Sequence, residues 1–266
     1  MMKIAELWVT LQSQPDLQLY VKTWTPEQLQ TATPIILLHD SLGSVELWRD
    51  FPKQLAEITQ RQVIAYDRLG FGQSSANPQK LDIDFVAKEA SSAFAAVLKQ
   101  LAIQEFIVMG HSVGGGMATC CAAHYAPQCK ALITMSAQTM VEELTLSGIR
   151  EAKIMFQELQ QFDRLKKYHA GKAQWVLDAW TETWLSDEFR TWQLDDYLKQ
   201  VHCPLLVIHG ELDEYGSLAQ PQRFIDYSSG STQMNILSGA HHMPHKEQPA
   251  LVLSIIQTFL KQQMIA

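Results

Sequence analysis

The sequence predicts an α/β fold: a mostly parallel sheet of eight strands, covered by helices on both faces and carrying a helical insertion. Three observations predict it. Short, fully apolar runs such as residues 35–38 and 205–208 recur along the chain, and a strand buried on both faces of a parallel sheet reads that way. Longer stretches with helical patterning separate these runs, the alternation from which helix-covered parallel sheets are built. One block, residues 138–199, holds no buried strand but carries Trp175, Trp180, Trp184 and Trp192 on helical segments. We therefore divide the chain into a core of residues 1–137 and 200–266 and a helical cap insertion of residues 138–199.

Taken in order, two extended segments come first, residues 6–11 and 17–24, around a turn at 12–16 where Pro15 and Asp16 favour reversal. This reads as an antiparallel hairpin. Pro34 precedes the first buried strand, 35–38, which leads to a helix over 46–59 and a strand over 62–66. A helix over 82–101 follows, with Asp82 at its cap, then a strand over 105–109, a helix over 112–125 and a strand over 131–135. After the insertion come a strand at 205–209, a helix at 219–227, a strand at 233–237 and a closing helix over 249–263.

A chain of 266 residues that is 47% hydrophobic and 18% charged can bury one large core. Its net charge of −7 and singly scattered Lys and Arg disfavour nucleic acid as a partner, and none is expected, because phosphate binding needs concentrated basic surface. The basic run at 164–167 reads as a solvated helix face. No stretch approaches the roughly 20 apolar residues that cross a bilayer, and the first residues lack the pattern of a signal peptide. We expect a cytoplasmic protein with no membrane partner. Cys120, Cys121, Cys129 and Cys203 have no ligand spacing and read as reduced core residues. The histidines, including His241, His242 and His245, have no matching set of Cys, Asp or Glu, so no metal and no cofactor are expected.

The sharpest chemical signal is Gly110-His111-Ser112-Val113-Gly114, which follows a buried strand and opens a helix. A serine lifted above a sheet on so sharp a turn leaves no room for side chains two positions away, which explains both glycines. At a helix start the free N–H groups and the dipole favour negative charge, so the N–H of Val113 is the expected oxyanion donor. A serine hydroxyl also needs a base oriented by a carboxylate. Residues 209–216 supply acids after a strand; Asp213 is the candidate, with Glu211 and Glu214 as alternatives. Residues 238–245, after the last strand, supply His241, His242 and His245.

Serine, acid and histidine in this order, each after a strand, resemble the α/β-hydrolase superfamily, specifically its capped, serine-nucleophile members. The likeness covers nearly the whole chain. The family spacing of histidine, glutamate and proline is met by His242, Glu247 and Pro249, so the resemblance implies His242 as the base, with His241 as rival and His245 a distant third. It further implies that Ser41, in His39-Asp40-Ser41-Leu42-Gly43, gives the second oxyanion donor. Asp40 stands there in place of the family's glycine, and its carboxylate would oppose an oxyanion unless it is paired or turned away. His39 is expected to brace this loop, and residues 67–74 resemble a segment that supports the family's site structurally.

The expected function is a serine hydrolase that cleaves an ester-like bond of a small, partly apolar molecule through an acyl-enzyme. The same constellation serves carbon–carbon bond hydrolases, lactonases, perhydrolases and lyases, and a ligand-binding member without turnover is a further alternative. Dehalogenases and epoxide hydrolases are disfavoured because their nucleophile is an aspartate. His111, Trp180 and Trp184 are the candidate substrate contacts, although the insertion's aromatics would equally serve to hold it on the core. Oligomeric state is not legible.

Overall fold

A computed structural model describes residues 1–265. Its sheet has eight strands: β1 (Lys3–Leu11), β2 (Gln14–Thr25), β3 (Ile35–Leu38), β4 (Val63–Tyr66), β5 (Phe106–His111), β6 (Cys129–Met135), β7 (Leu205–Gly210) and β8 (Thr232–Leu237). They lie in the order β1-β2-β4-β3-β5-β6-β7-β8, with β1–β2 and β2–β4 antiparallel and the remaining pairs parallel. The predicted fold class is the observed one.

The apolar runs bury both faces because successive side chains alternate between two cores. Ile36 and Leu38 of β3 join Val108, Val113, Met117 and Val207 on one face. Ile35 and Leu37 join Met109, Ile133, Ile208 and Phe259 on the other. Helix α1 (Phe51–Thr59) and helix α11 (Pro249–Gln262) cover the second face, while α2 (Phe85–Ser91), α3 (Ala93–Gln100) and α4 (Val113–His124) cover the first. Helix α9 (Ala219–Tyr227) and the short α10 (Pro244–Glu247) complete the core.

Three local expectations are corrected. The hairpin reverses at Gln12 and Ser13, so Pro15 and Asp16 lie within β2. They are tolerated there because the register slips between Thr10 and Leu11 and leaves residues 15–17 without ladder partners. The helix read over 46–59 is a 3-10 turn, Val45–Trp48, followed by α1, with Pro52 in its first turn, where its missing N–H costs nothing. The helix read over 82–101 starts at Phe85 and breaks at Ser92, whose hydroxyl donates to the Lys88 carbonyl at 2.7 Å. A serine that bonds back to the preceding turn competes with the helical ladder.

Between β6 and β7 the chain forms α5 (Glu143–Met155), α6 (Leu159–His169), α7 (Ala173–Trp184) and α8 (Asp195–Leu198). An antiparallel bridge joins Met140 to Gln193 at the base of this block. Among the described residues no helix is long and apolar enough to cross a membrane. All four cysteines are free and buried, and the sulfurs of Cys129 and Cys203 lie 3.7 Å apart.

Candidate active site

The loops that leave the carboxyl ends of β3, β5, β6, β7 and β8 meet over the sheet, as open parallel sheets require of their binding sites. Ser112 sits between β5 and α4 with φ 55° and ψ −129°, a conformation that side chains rarely adopt. The two motif glycines permit it. A Cβ on Gly110 would lie 2.0 Å from the Gly114 carbonyl oxygen, and one on Gly114 would lie 2.3 Å from the Leu38 carbonyl oxygen. The elbow is thus wedged between its own helix and the end of β3.

His242 follows β8 and Asp213 follows β7, and the structure brings their side chains together. The His242 Nδ1 lies 2.8 Å from Asp213 Oδ1 and 3.0 Å from Oδ2, with the carboxylate fully buried. Because the carboxylate can only accept, the bond fixes the proton on Nδ1 and leaves Nε2 as the basic nitrogen. Tyr215 N–H also donates to Asp213 Oδ1 at 2.8 Å. Burial pushes the Asp213 carboxyl up, but the hydrogen bond from His242, the charges of His242 and His209 and the Tyr215 N–H together hold it below the usual range. The Tyr215 ring packs over His242 at 4.9 Å.

The rival residues go elsewhere. Glu211 accepts from Ser238 and Gly239 at the surface, and Glu214 accepts the His242 backbone N–H. His241 is exposed and faces Glu247 at 3.3 Å. His245 is buried against Trp48 and Phe51, where burial lowers its basicity well below that of a free histidine. His39 donates from Nδ1 to the Asp40 carbonyl at 2.8 Å and accepts the Arg68 N–H at Nε2, bracing the loop after β3. Asp67 accepts the N–H groups of Val45 and Gln73, tying the segment after β4 beneath that loop.

The Ser112 hydroxyl donates to Gln138 Oε1 at 3.2 Å, and among the described residues it makes no bond to His242. Sequence reasoning missed Gln138. It lies three residues beyond β6, and only the adjacency of β5 and β6 in the sheet places it beside the elbow. Ser112, Gln138 and His242 open into a cavity of about 220 Å³ whose walls include Ile149, Ala152, Phe156, Trp180, Trp184 and Tyr215. Of the three candidate substrate contacts, Trp180 and Trp184 line the cavity. His111 does not. Its Nε2 donates to the His242 carbonyl at 2.7 Å and its Nδ1 faces Asp40 Oδ2 at 3.3 Å, so its ring is held behind the cavity wall. Asp40 and Ser41 border the cavity, and neither Ser41 N–H nor Val113 N–H has a partner among the described residues.

A mostly parallel sheet with a serine strained at the turn after its central strand, and a buried Asp–His pair beside it, defines the α/β-hydrolase class. The chain belongs to the alpha/beta hydrolase fold family, whose profile matches residues 33–171, just over half of its length. It is 32% identical over 136 residues to a proline iminopeptidase of Lactobacillus delbrueckii subsp. bulgaricus, a match covering 51% of this chain and 41% of that protein. The match therefore spans about two-fifths of that relative's length. A serine hydrolase of Mus musculus, BPHL, is 25% identical over 220 residues, covering 79% of this chain and 73% of that one. Among solved structures, a bacterial membrane phospholipase A shares the fold with a TM-score of 0.80 at 18% identity, over 99% of this chain and 87% of that one.

Proposed function

We propose that the protein is a serine hydrolase acting on a small, partly apolar molecule with an ester-like bond. Ser112 attacks the carbonyl carbon as His242 Nε2 takes its proton, and the N–H groups of Ser41 and Val113 receive the negative charge on the carbonyl oxygen. His242 returns the proton to the leaving oxygen, and water then releases the acyl group from Ser112 with His242 again as base. Asp213 orients the imidazole and stabilises its charged form. These steps draw only on side chains, backbone and water.

The observation that carries this reading is the buried Asp213–His242 bond at the edge of the cavity onto which Ser112 opens. Before attack the serine hydroxyl must turn from Gln138 to His242, a rotation about one bond. The apolar walls supplied by α5 and α7 support an apolar acyl or alcohol group, and residues 138–199 serve in this reading as the cap that sets its size.

A second reading, removal of an amino-terminal proline, is favoured by the relative matched over half of the chain. Asp40, the one carboxylate on the cavity wall among the described residues, would then have to receive the substrate ammonium, yet it is engaged by Leu42 and His111. The test is hydrolysis of p-nitrophenyl esters of increasing acyl length, beside proline p-nitroanilide, by wild type and Ser112→Ala. Ester turnover that falls on the order of 10⁴-fold or more in the variant supports the proposal. Ester turnover retained by clean variant overturns it, and turnover of the anilide alone transfers the assignment to the peptidase reading.

A further inference from the structure

We infer that Asp40 and His111 form a charge-balanced pair that lets a carboxylate stand beside the oxyanion position without opposing it. The inference rests on the serine-hydrolase reading. Asp40 immediately precedes Ser41, the proposed donor, and borders the cavity with its side chain 17% exposed. Unpaired, it would repel the negative charge that develops on the substrate oxygen.

The hydrogen bonding shows how it is balanced. Asp40 Oδ1 accepts the Leu42 N–H at 3.0 Å, which turns the carboxylate back over its own loop. Asp40 Oδ2 faces His111 Nδ1, while His111 Nε2 faces the His242 carbonyl. Both partners of the ring are acceptors only, so both contacts are hydrogen bonds when each nitrogen carries a proton, that is, when the ring is a cation. The other positive groups nearby do not replace it. Arg68 and His39 donate to the Asp40 backbone oxygen. Lys246 lends only its field, and the His242 and His245 rings make no bond to Asp40 among the described residues. Burial would push the Asp40 carboxyl up; the bond and charge of His111, then Lys246, pull it below the usual range, so the carboxylate is ionised.

The pair also joins three loops that the reaction uses. Asp40 lies on the loop after β3, His111 in the elbow, and the His242 carbonyl on the loop after β8. A glycine at position 40 would need no such partner; with aspartate there, His111 becomes a positioning and charge-balancing residue.

The test is a double-mutant cycle on the full chain, with p-nitrophenyl esters and a serine-directed phosphonate. His111→Gln keeps an amide donor for the His242 carbonyl but removes the cation. It should lower kcat by about 10- to 100-fold with little change in KM. Asp40→Asn should cost far less, and Asp40→Asn with His111→Gln should return to within about threefold of Asp40→Asn alone. Thermal unfolding checks each protein, and if His111→Gln does not fold, His111→Asn is used, with the same rescue expected. Losses that multiply in the double variant, with wild-type turnover still dependent on Ser112, overturn the inference alone. Wild type that neither turns over esters nor labels at Ser112 overturns the serine-hydrolase reading and the inference with it.

Discussion

Gly114→Ala should damage both stability and catalysis, whereas Gly116→Ala, two residues along the same helix, should damage neither. At Gly114 the added carbon would stand 2.3 Å from the Leu38 oxygen and 2.6 Å from the His39 oxygen, all backbone. Ordinary contact begins at 3.4 Å, so the start of α4 must part from the end of β3 by about 1 Å. Val113 and Ser41 lie on opposite sides of that contact, and the gap between their N–H groups widens with it. Misplacement of about 1 Å costs on the order of 10²-fold in rate, near 3 kcal/mol at 1.36 kcal/mol per decade, and the overpacking costs about 1–3 kcal/mol of stability. At Gly116 the nearest atoms are Val86 Cγ1 at 3.4 Å, Leu194 Cδ1 at 3.5 Å and Gln138 O at 3.6 Å. Alanine there replaces a poor helix former and should gain up to about 1 kcal/mol. Ester kcat/KM and thermal unfolding of both variants check this. A Gly114→Ala enzyme within threefold of wild type, or equal losses in the two, would refute the wedge.

Three further outcomes follow from the same geometry. His242→Ala should cut ester turnover by at least about 10³-fold, while exposed His241→Ala changes it less than about threefold; equal losses would reassign the base. Gln138→Met removes the acceptor that holds the Ser112 hydroxyl and should speed phosphonate labelling by about two- to tenfold, and a tenfold fall would show that Gln138 assists attack instead. Burial pushes the Asp67 carboxyl up to about 6, against the pull of the Gln73 and Val45 N–H groups. Its folded value lies above the unfolded value near 3.9, so its contribution is full below about pH 4 and declines by roughly 3 kcal/mol as pH rises through 6. Asp213, held low, acts in the opposite sense: its contribution is present above the unfolded value and lost as pH falls. Urea unfolding at pH 4 and 7.5 should show wild type losing stability relative to Asp67→Asn as pH rises; identical pH slopes would remove Asp67 as the cause.

The parts of the fold that were legible are those in which one local pattern has one physical solution. A run such as Ile35–Leu38 has apolar side chains on both faces, and only a strand inside a sandwich of helices buries both. Gly110 to Gly114 read as an elbow because the backbone approach there excludes any side chain. The misread boundaries are those in which a side chain competes with the backbone for the same group. Ser92 takes the Lys88 carbonyl and breaks a helix that periodicity alone makes continuous. Pro15 signals a turn, but a register slip gives it a place inside a strand.

The site divides along the same line. Ser112, Asp213 and His242 each follow a strand that ends at the same edge, so chain order and strand direction suffice to bring them near one another. Gln138 reaches the cavity through the adjacency of β5 and β6 in the sheet, and Ile149, Trp180 and Trp184 through the fold of α5 and α7, which no local pattern encodes. Asp40 shows the limit from the other side. Read alone, a carboxylate in the oxyanion loop argues against the chemistry; read with His111, which lies 71 positions away and faces it at 3.3 Å, it has a partner in the elbow. The charge of a site is therefore a property of the contacts across its loops, and a single motif position does not determine it.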